Sequence, residues 1–418
     1  MTSKWQWWLN QIVRRIWFRA TLFSVGGVVT ALLAVAFSSY IPAELPAKIG
    51  ADAVDKILGI IASSMLTVTT FSLSTMVAAY SAATNNVTPR ATKLVMEDST
   101  TQNVLATFVG SFLFSLVGII ALATGAYGDQ GRVILFVVTI GVILLIIVTL
   151  LRWIDHLSRL GRVTETTERV EKATIEALRS WIESPCLGGK ELEDNDPRLS
   201  APNTPVHQPK VGYVQHVDGG ALGQISEELD VEIAVVAIAG KLVAPNIPLA
   251  WIIGDVDEEC QKRIASAFTI GDVRSFDQDP RFGAAVLAEI ASRSLSQAIN
   301  DSGTAIDLIS RYMRVLTVWD EHADEIDVQY PRLHVAPIRL EDVFDDLFIP
   351  LARDGAAILE VGIRLQKAFI TLSGFRHPEF KRIAVQHSRS AIKRAEATSM
   401  IEEDLDKLRR IASLLGPA

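Results

Sequence analysis

The chain has 418 residues, of which 49% are hydrophobic and 21% charged, with a formal net charge of -8 and a mean hydropathy of +0.28. It is too apolar for an ordinary soluble protein and too charged for one lying wholly in lipid, so membrane and soluble parts are segregated along it. The acidic balance excludes nucleic acid as a partner, and two cysteines without paired spacing, Cys186 and Cys260, exclude a disulfide framework.

Residues 1–19 read as an interfacial amphipathic helix, with Trp5, Trp8, Leu9, Ile12 and Ile16 on one face and Arg14, Arg15 and Arg19 in reach of lipid headgroups. The alternative is a simple continuation of the first span. Trp17 and Trp153 are expected in an aromatic belt.

Four stretches without Asp, Glu, Lys or Arg follow, at 21–41, 57–87, 104–124 and 133–151. Each is long enough to cross about 30 Å of hydrocarbon as a helix, which predicts a four-helix transmembrane domain over 20–156. The first is too long for a cleaved leader and has three further spans behind it. Lys4, Arg14, Arg15, Arg19, Arg90, Lys93, Arg152, Arg159 and Arg162 lie on one side, against Lys48, Lys56 and Arg132 on the other. This asymmetry places both termini in the cytoplasm of a bacterial inner membrane.

The second span is rich in hydroxyls, and at 100° per residue Ser63, Thr67, Thr70, Ser74 and Ser81 line up with Ala78 and Asn85. A polar stripe gains nothing from acyl chains, so it meets either water in a pore or a neighbouring helix. Arg90 and Lys93 are candidates for an inner mouth, and Asp52 and Asp55, with Glu44, for an outer one. Gly110, Ser111, Ser115 and Gly118 make the third span a packing helix, while the Val, Ile and Leu run of the fourth reads as lipid-facing.

The rest predicts a cytoplasmic α+β domain: a connecting helix over 157–184 that runs straight out of the fourth span, with Asp155 at its root in reach of Arg152 and Arg159, a loop over 185–210, a small β unit over 211–256 and a helical domain over 257–418. Expected helices are 257–268, 280–298, 304–317, 340–351, 356–372 and an amphipathic tail over 378–415. Asp279-Pro280 marks a helix start and Asn300-Asp301-Ser302-Gly303 a stop and restart.

Phe71-Ser72, Met76-Val77-Ala78 and Pro89-Arg90 resemble a segment of bacterial predicted membrane proteins, domain-of-unknown-function family 2254. So do Gly212-Tyr213-Val214-Gln215 with Asp218, Asp277-Gln278-Asp279-Pro280 with Phe282-Gly283, and Ala291-Ser292-Arg293 with Leu295-Ser296 and Ile299-Asn300-Asp301. Gln297 and Ser302 stand where that family tends to have proline. The resemblance implies architecture and carries no catalytic residue.

Asp277, Asp279, Arg293, Asn300 and Asp301 gather around one predicted helix as a cytoplasmic polar cluster, or else serve as caps and turn residues. No nucleophile elbow, phosphate loop, dinucleotide fingerprint or metal spacing is present, so neither enzyme chemistry nor a cofactor is expected. The expectation is a homo-oligomeric channel that passes inorganic ions, its alternative a membrane-anchored sensor or scaffold whose soluble domain binds a small ligand or protein.

Overall fold

The computed structural model describes residues 3–36, 51–125, 129–199, 203–254, 256–321 and 328–416. Contacts divide the chain into two compact units, Trp8–Thr166 and Met1–Trp7 with Thr167–Ala418.

The first unit holds most of α1 (Lys4–Val13), then α2 (Ile16–Ala36), α3 (Ala51–Asn86), the short α4 (Thr92–Met96), α5 (Ser99–Ala123) and α6 (Asp129–Arg159). Among the described residues three helices are long and apolar enough to cross a membrane, Ala53–Ala82, Thr92–Ala123 and Gly131–Arg159; a pair bent by 68°, Lys4–Val13 and Trp17–Leu33, makes a fourth if it is one span. The bend separates α1 from α2, so α1 does not continue straight into α2.

Helix α5 is the centre of this unit, packing on α2, α3 and α6. Its start is set by Asp98, whose carboxylate accepts from the Thr101 amide at 2.8 Å. The small residues expected to let another backbone approach do so: a Cβ on Gly110 would lie 3.0 Å from the Phe23 carbonyl oxygen, and one on Gly27 2.7 Å from that of Gly110. Any larger side chain here would push α2 and α5 apart. Helix α6 exposes Val137, Leu144, Ile147, Leu151 and Ile154, in keeping with a lipid-facing role. Trp153 departs from the belt expectation: it is 2% exposed and stacks on His156 at 5.7 Å, because it belongs to a core with Ile61 and Met65 of α3 and Val104 and Phe108 of α5. Trp17 is exposed.

The second unit contains α7 (Val163–Glu183) from Thr167 on, β1 (Lys190–Glu191), β2 (Thr204–Val206), β3 (Gly212–Val217), α8 (Gly219–Glu228), β4 (Glu232–Val235), β5 (Leu242–Val243) and β6 (Ala250–Ile253). Then come α9 (Glu258–Ser266), β7 (Phe268–Gly271), α10 (Pro280–Ser294), α11 (Ser302–Asp320), β8 (Leu333–Val335), α12 (Leu340–Asp354), α13 (Leu359–Leu372), α14 (Glu379–Glu396) and α15 (Glu402–Ala412). One sheet runs β1-β8-β4-β6-β2 and a second β5-β3-β7. The first is mixed, with β8 parallel to both β1 and β4. Ile233, Val235, Ala250, Ile252, Leu333 and Val335 fill the core around it.

The β region is wider than the sequence suggests. The expected loop at 185–210 supplies β1 and β2, hidden because they are two and three residues long and because Pro205 reads as a breaker, although an edge strand tolerates it. Helix α8 arises inside the expected β unit, since Asp218 caps it through the Ala221 amide at 3.0 Å and outweighs Gly219-Gly220. The C-terminal tail is two helices, broken where the Thr398 hydroxyl donates to the Ala395 carbonyl and receives the Met400 amide. Helix α7 is built into this unit rather than merely leading to it. Glu171 accepts from Arg311 at 2.7 Å and from Arg314 at 3.0 Å, and Thr174 fills the space above Gly283 so closely that a Cβ there would lie 2.1 Å from its Oγ1.

Candidate functional site

The stripe on α3 faces out of its unit. Ser63, Thr67, Thr70, Ser74, Ala78 and Ser81 are exposed, while Ile61, Met65, Met76 and Ala79 on the opposite side are buried. The Thr67, Thr70 and Ser74 hydroxyls each donate to the carbonyl four residues earlier, at 3.0, 2.9 and 3.0 Å, and Ser63 does the same toward Gly59 at 3.0 Å. With its proton turned into the helix, each oxygen offers its lone pairs outward. The stripe is therefore a row of acceptors, flanked by exposed Leu66, Phe71, Leu73 and Val77.

Asp55 is exposed near the start of α3, and Arg90 is exposed beyond its end. A helix of 36 residues is about 54 Å long, so these candidate mouths lie far apart. Lys93 is half-buried and pairs with Glu97 at 3.8 Å. The side chains of Asn85 and Asp52, like the whole of Glu44, lie outside the described residues.

The five candidates of the polar cluster fall into two groups at opposite ends of α10, about 22 Å apart for its 15 residues. At the start, Asp279 caps the helix through the Phe282 amide at 2.9 Å and takes both ends of the Arg274 guanidinium at 2.7 and 2.9 Å. Burial pushes the Asp279 carboxyl above its ordinary value, and Arg274 opposes that rise. At the far end, Arg293 lies in the last turn and Asn300 adopts a left-handed φ of 51°, a conformation that asparagine tolerates better than most residues. Asp301 then caps α11 through the Thr304 amide at 3.0 Å. One cluster of five is thus not assembled, since three of its members shape helix boundaries.

Asp277 belongs to a constellation that the sequence did not disclose. It accepts from the Ser275 hydroxyl at 2.7 Å and from the Trp7 indole at 3.1 Å, while Trp7 stacks on buried His216 at 5.5 Å. Asp218 serves two helix starts, accepting the Ala221 amide with one oxygen and the Lys4 amide at 2.6 Å with the other. Gln278 grips the Val217 backbone, receiving its amide at 2.9 Å and donating to its carbonyl at 3.2 Å. The motif residues Asp218 and Asp277 therefore form the seat of Lys4 and Trp7, and Gln278 holds the strand that leads into Asp218. One signal was present: Trp7 lies off the apolar face shared by Trp5 and Trp8, which are exposed.

A family profile described as predicted membrane protein (DUF2254) matches residues 13–371. The chain belongs to this family. Uncharacterized proteins of Mycobacterium bovis and Mycobacterium tuberculosis are each 25% identical to it over 285 residues, covering 66% of this chain and 54% of theirs. The chain thus spans about half the length of those relatives. No solved structure matches it. The α3 stripe and the seat of Trp7 lie within the matched range, whereas Lys4 and Trp7 themselves precede it.

Proposed function

We propose that this membrane protein is a homo-oligomeric channel of the bacterial inner membrane, with four spans per subunit and both termini cytoplasmic. The observation that carries the reading is the acceptor row on α3, which the chain's own packing leaves facing outward. Several copies around an axis would bring these rows together, and a ring of hydroxyl oxygens favours water and cations over anions. The excess of Lys and Arg on one side supports the orientation, and the cytoplasmic unit would act as vestibule or gate. No catalytic step is assigned to it.

A second reading is a membrane-anchored sensor or scaffold whose soluble unit binds a small ligand or protein. It is favoured by the same hydroxyls, since bonds back to their own helix leave them no need of water.

Cysteine reactivity separates the two. In the assembled protein, cysteines at Thr67, Thr70 and Ser74 should react with small water-soluble thiol reagents, and cysteines at buried Met65 and Met76 should not. The background is low because Cys186 and Cys260 are buried, and burial pushes the Cys186 thiol up to about 12. Protection at all three hydroxyl positions, with silence in a planar bilayer, would favour the scaffold.

A further inference from the structure

A cavity of about 960 Å³ opens beside the start of α2, lined among others by Arg15, Trp17, Pro89, Lys93, Glu97 and Gln102. Its depth is fixed by the apolar helices around it. One apolar segment begins at Trp17, another ends at Ala82 and a third runs Thr92–Ala123, so the cavity sits where hydrocarbon gives way to headgroups. Arg14, which also lines it, pairs with Glu97 at 3.8 Å, as does Lys93. Among the described residues no carboxylate pairs with Arg15. Three cations against one carboxylate leave the cavity positive.

Gln102 adds a second requirement. It is 1% exposed, and its amide nitrogen donates to the carbonyls of Arg14 at 2.7 Å and Met96 at 3.1 Å. Those two bonds fix which end of the amide is oxygen. The oxygen, Oε1, is buried and has no hydrogen-bond partner among the described residues. A buried acceptor left unmatched calls for a donor from a ligand or a water. The pocket therefore asks for an anion that also carries a hydroxyl, held at membrane-surface depth.

We propose that this cavity is a binding site for the headgroup of an anionic phospholipid of the phosphatidylglycerol type. The phosphodiester sits between Arg15 and Lys93, a glycerol hydroxyl donates to Gln102 Oε1, and Trp17 packs beside the glycerol backbone. The site follows from the family's membrane character and does not depend on conduction.

The test uses the full-length protein purified in mild detergent, with bound lipid read by native mass spectrometry. Wild type should retain phosphatidylglycerol at least about tenfold over phosphatidylcholine. Joint Arg15→Gln and Lys93→Gln substitution should weaken retention roughly thirtyfold, at about one basic contact's worth per residue, while Arg15→Lys with Lys93→Arg should preserve it. Phosphatidylmethanol keeps the charge but lacks the hydroxyl, and should bind about fivefold more weakly. Soluble glycerol phosphate should fail to displace the lipid. Equal retention of phosphatidylcholine, undiminished retention by the neutral double variant, or displacement by glycerol phosphate would each overturn the proposal. Should the neutral variant fail to fold, the wild-type comparison of headgroups still decides.

Discussion

The hydroxyls exposed on α3 and the charges buried in the second unit are settled in opposite ways. On α3 the hydroxyls of Thr67, Thr70 and Ser74 bond within their own helix, whereas in the second unit Glu171 reaches Arg311 across 140 residues and Arg281 reaches Asp342 and Asp346 on another helix. The difference follows from the solvent. A helix inserted into hydrocarbon must satisfy itself locally before its copies meet, while in water a buried charge can wait for tertiary contact and then helps to specify it.

The comparison breaks most sharply at Glu171. Replacing it by Gln strands the half of the Arg311 charge that Asp307 does not meet, and should cost about 3–5 kcal/mol of stability, read by thermal or denaturant unfolding of the soluble unit's transition. A change below 1 kcal/mol would mean that water reaches the pair.

A smaller effect comes from His387, which burial among Phe344, Phe348 and Phe369 pushes down to about 4. Its folded value lies below its unfolded one, so the unfolded chain takes up the proton first. Stability is full above about pH 6.5 and falls as the pH drops toward 4, by about 3 kcal/mol in total. Asp345, 3.3 Å away, has a carboxyl raised by burial and by Glu341; it titrates in the opposite sense and blunts the slope near pH 4. Glu341 raises His387 and Arg394 lowers it. His387→Leu should remove most of this pH dependence, as followed by melting temperature across the window.

The smallest effect belongs to the membrane unit. Thr70→Val removes a hydroxyl that only returns to Leu66, and should change stability in detergent by less than about 0.5 kcal/mol. A larger loss would show that the stripe packs against another copy of the chain.

What the sequence made legible was whatever is local. Uncharged runs disclosed the apolar helices, and Asp279-Pro280 and Asp301 disclosed helix starts because a cap needs only the next three residues. The pairing of β1 with β8 joins Lys190 to His334, and nothing in either two- or three-residue strand advertises the other. Trp153 was misplaced for the same reason, since its burial depends on a helix elsewhere in the chain. The α3 stripe was legible as a pattern, whereas the direction of its hydroxyl protons required coordinates.

The docking of Trp7 also has a consequence for synthesis on the ribosome. Its partner Asp277 is made 270 residues later, an interval of about 15–50 s at ordinary elongation rates. Residues 4–7 are made before their seat, which Asp218 and Asp277 complete only after the helices α2 to α6 have been translated. During that interval the indole lacks the partner that Asp277 supplies, and the second unit can close over it only late. The order of translation thus makes residues 4–7 one of the last pieces of their unit to settle.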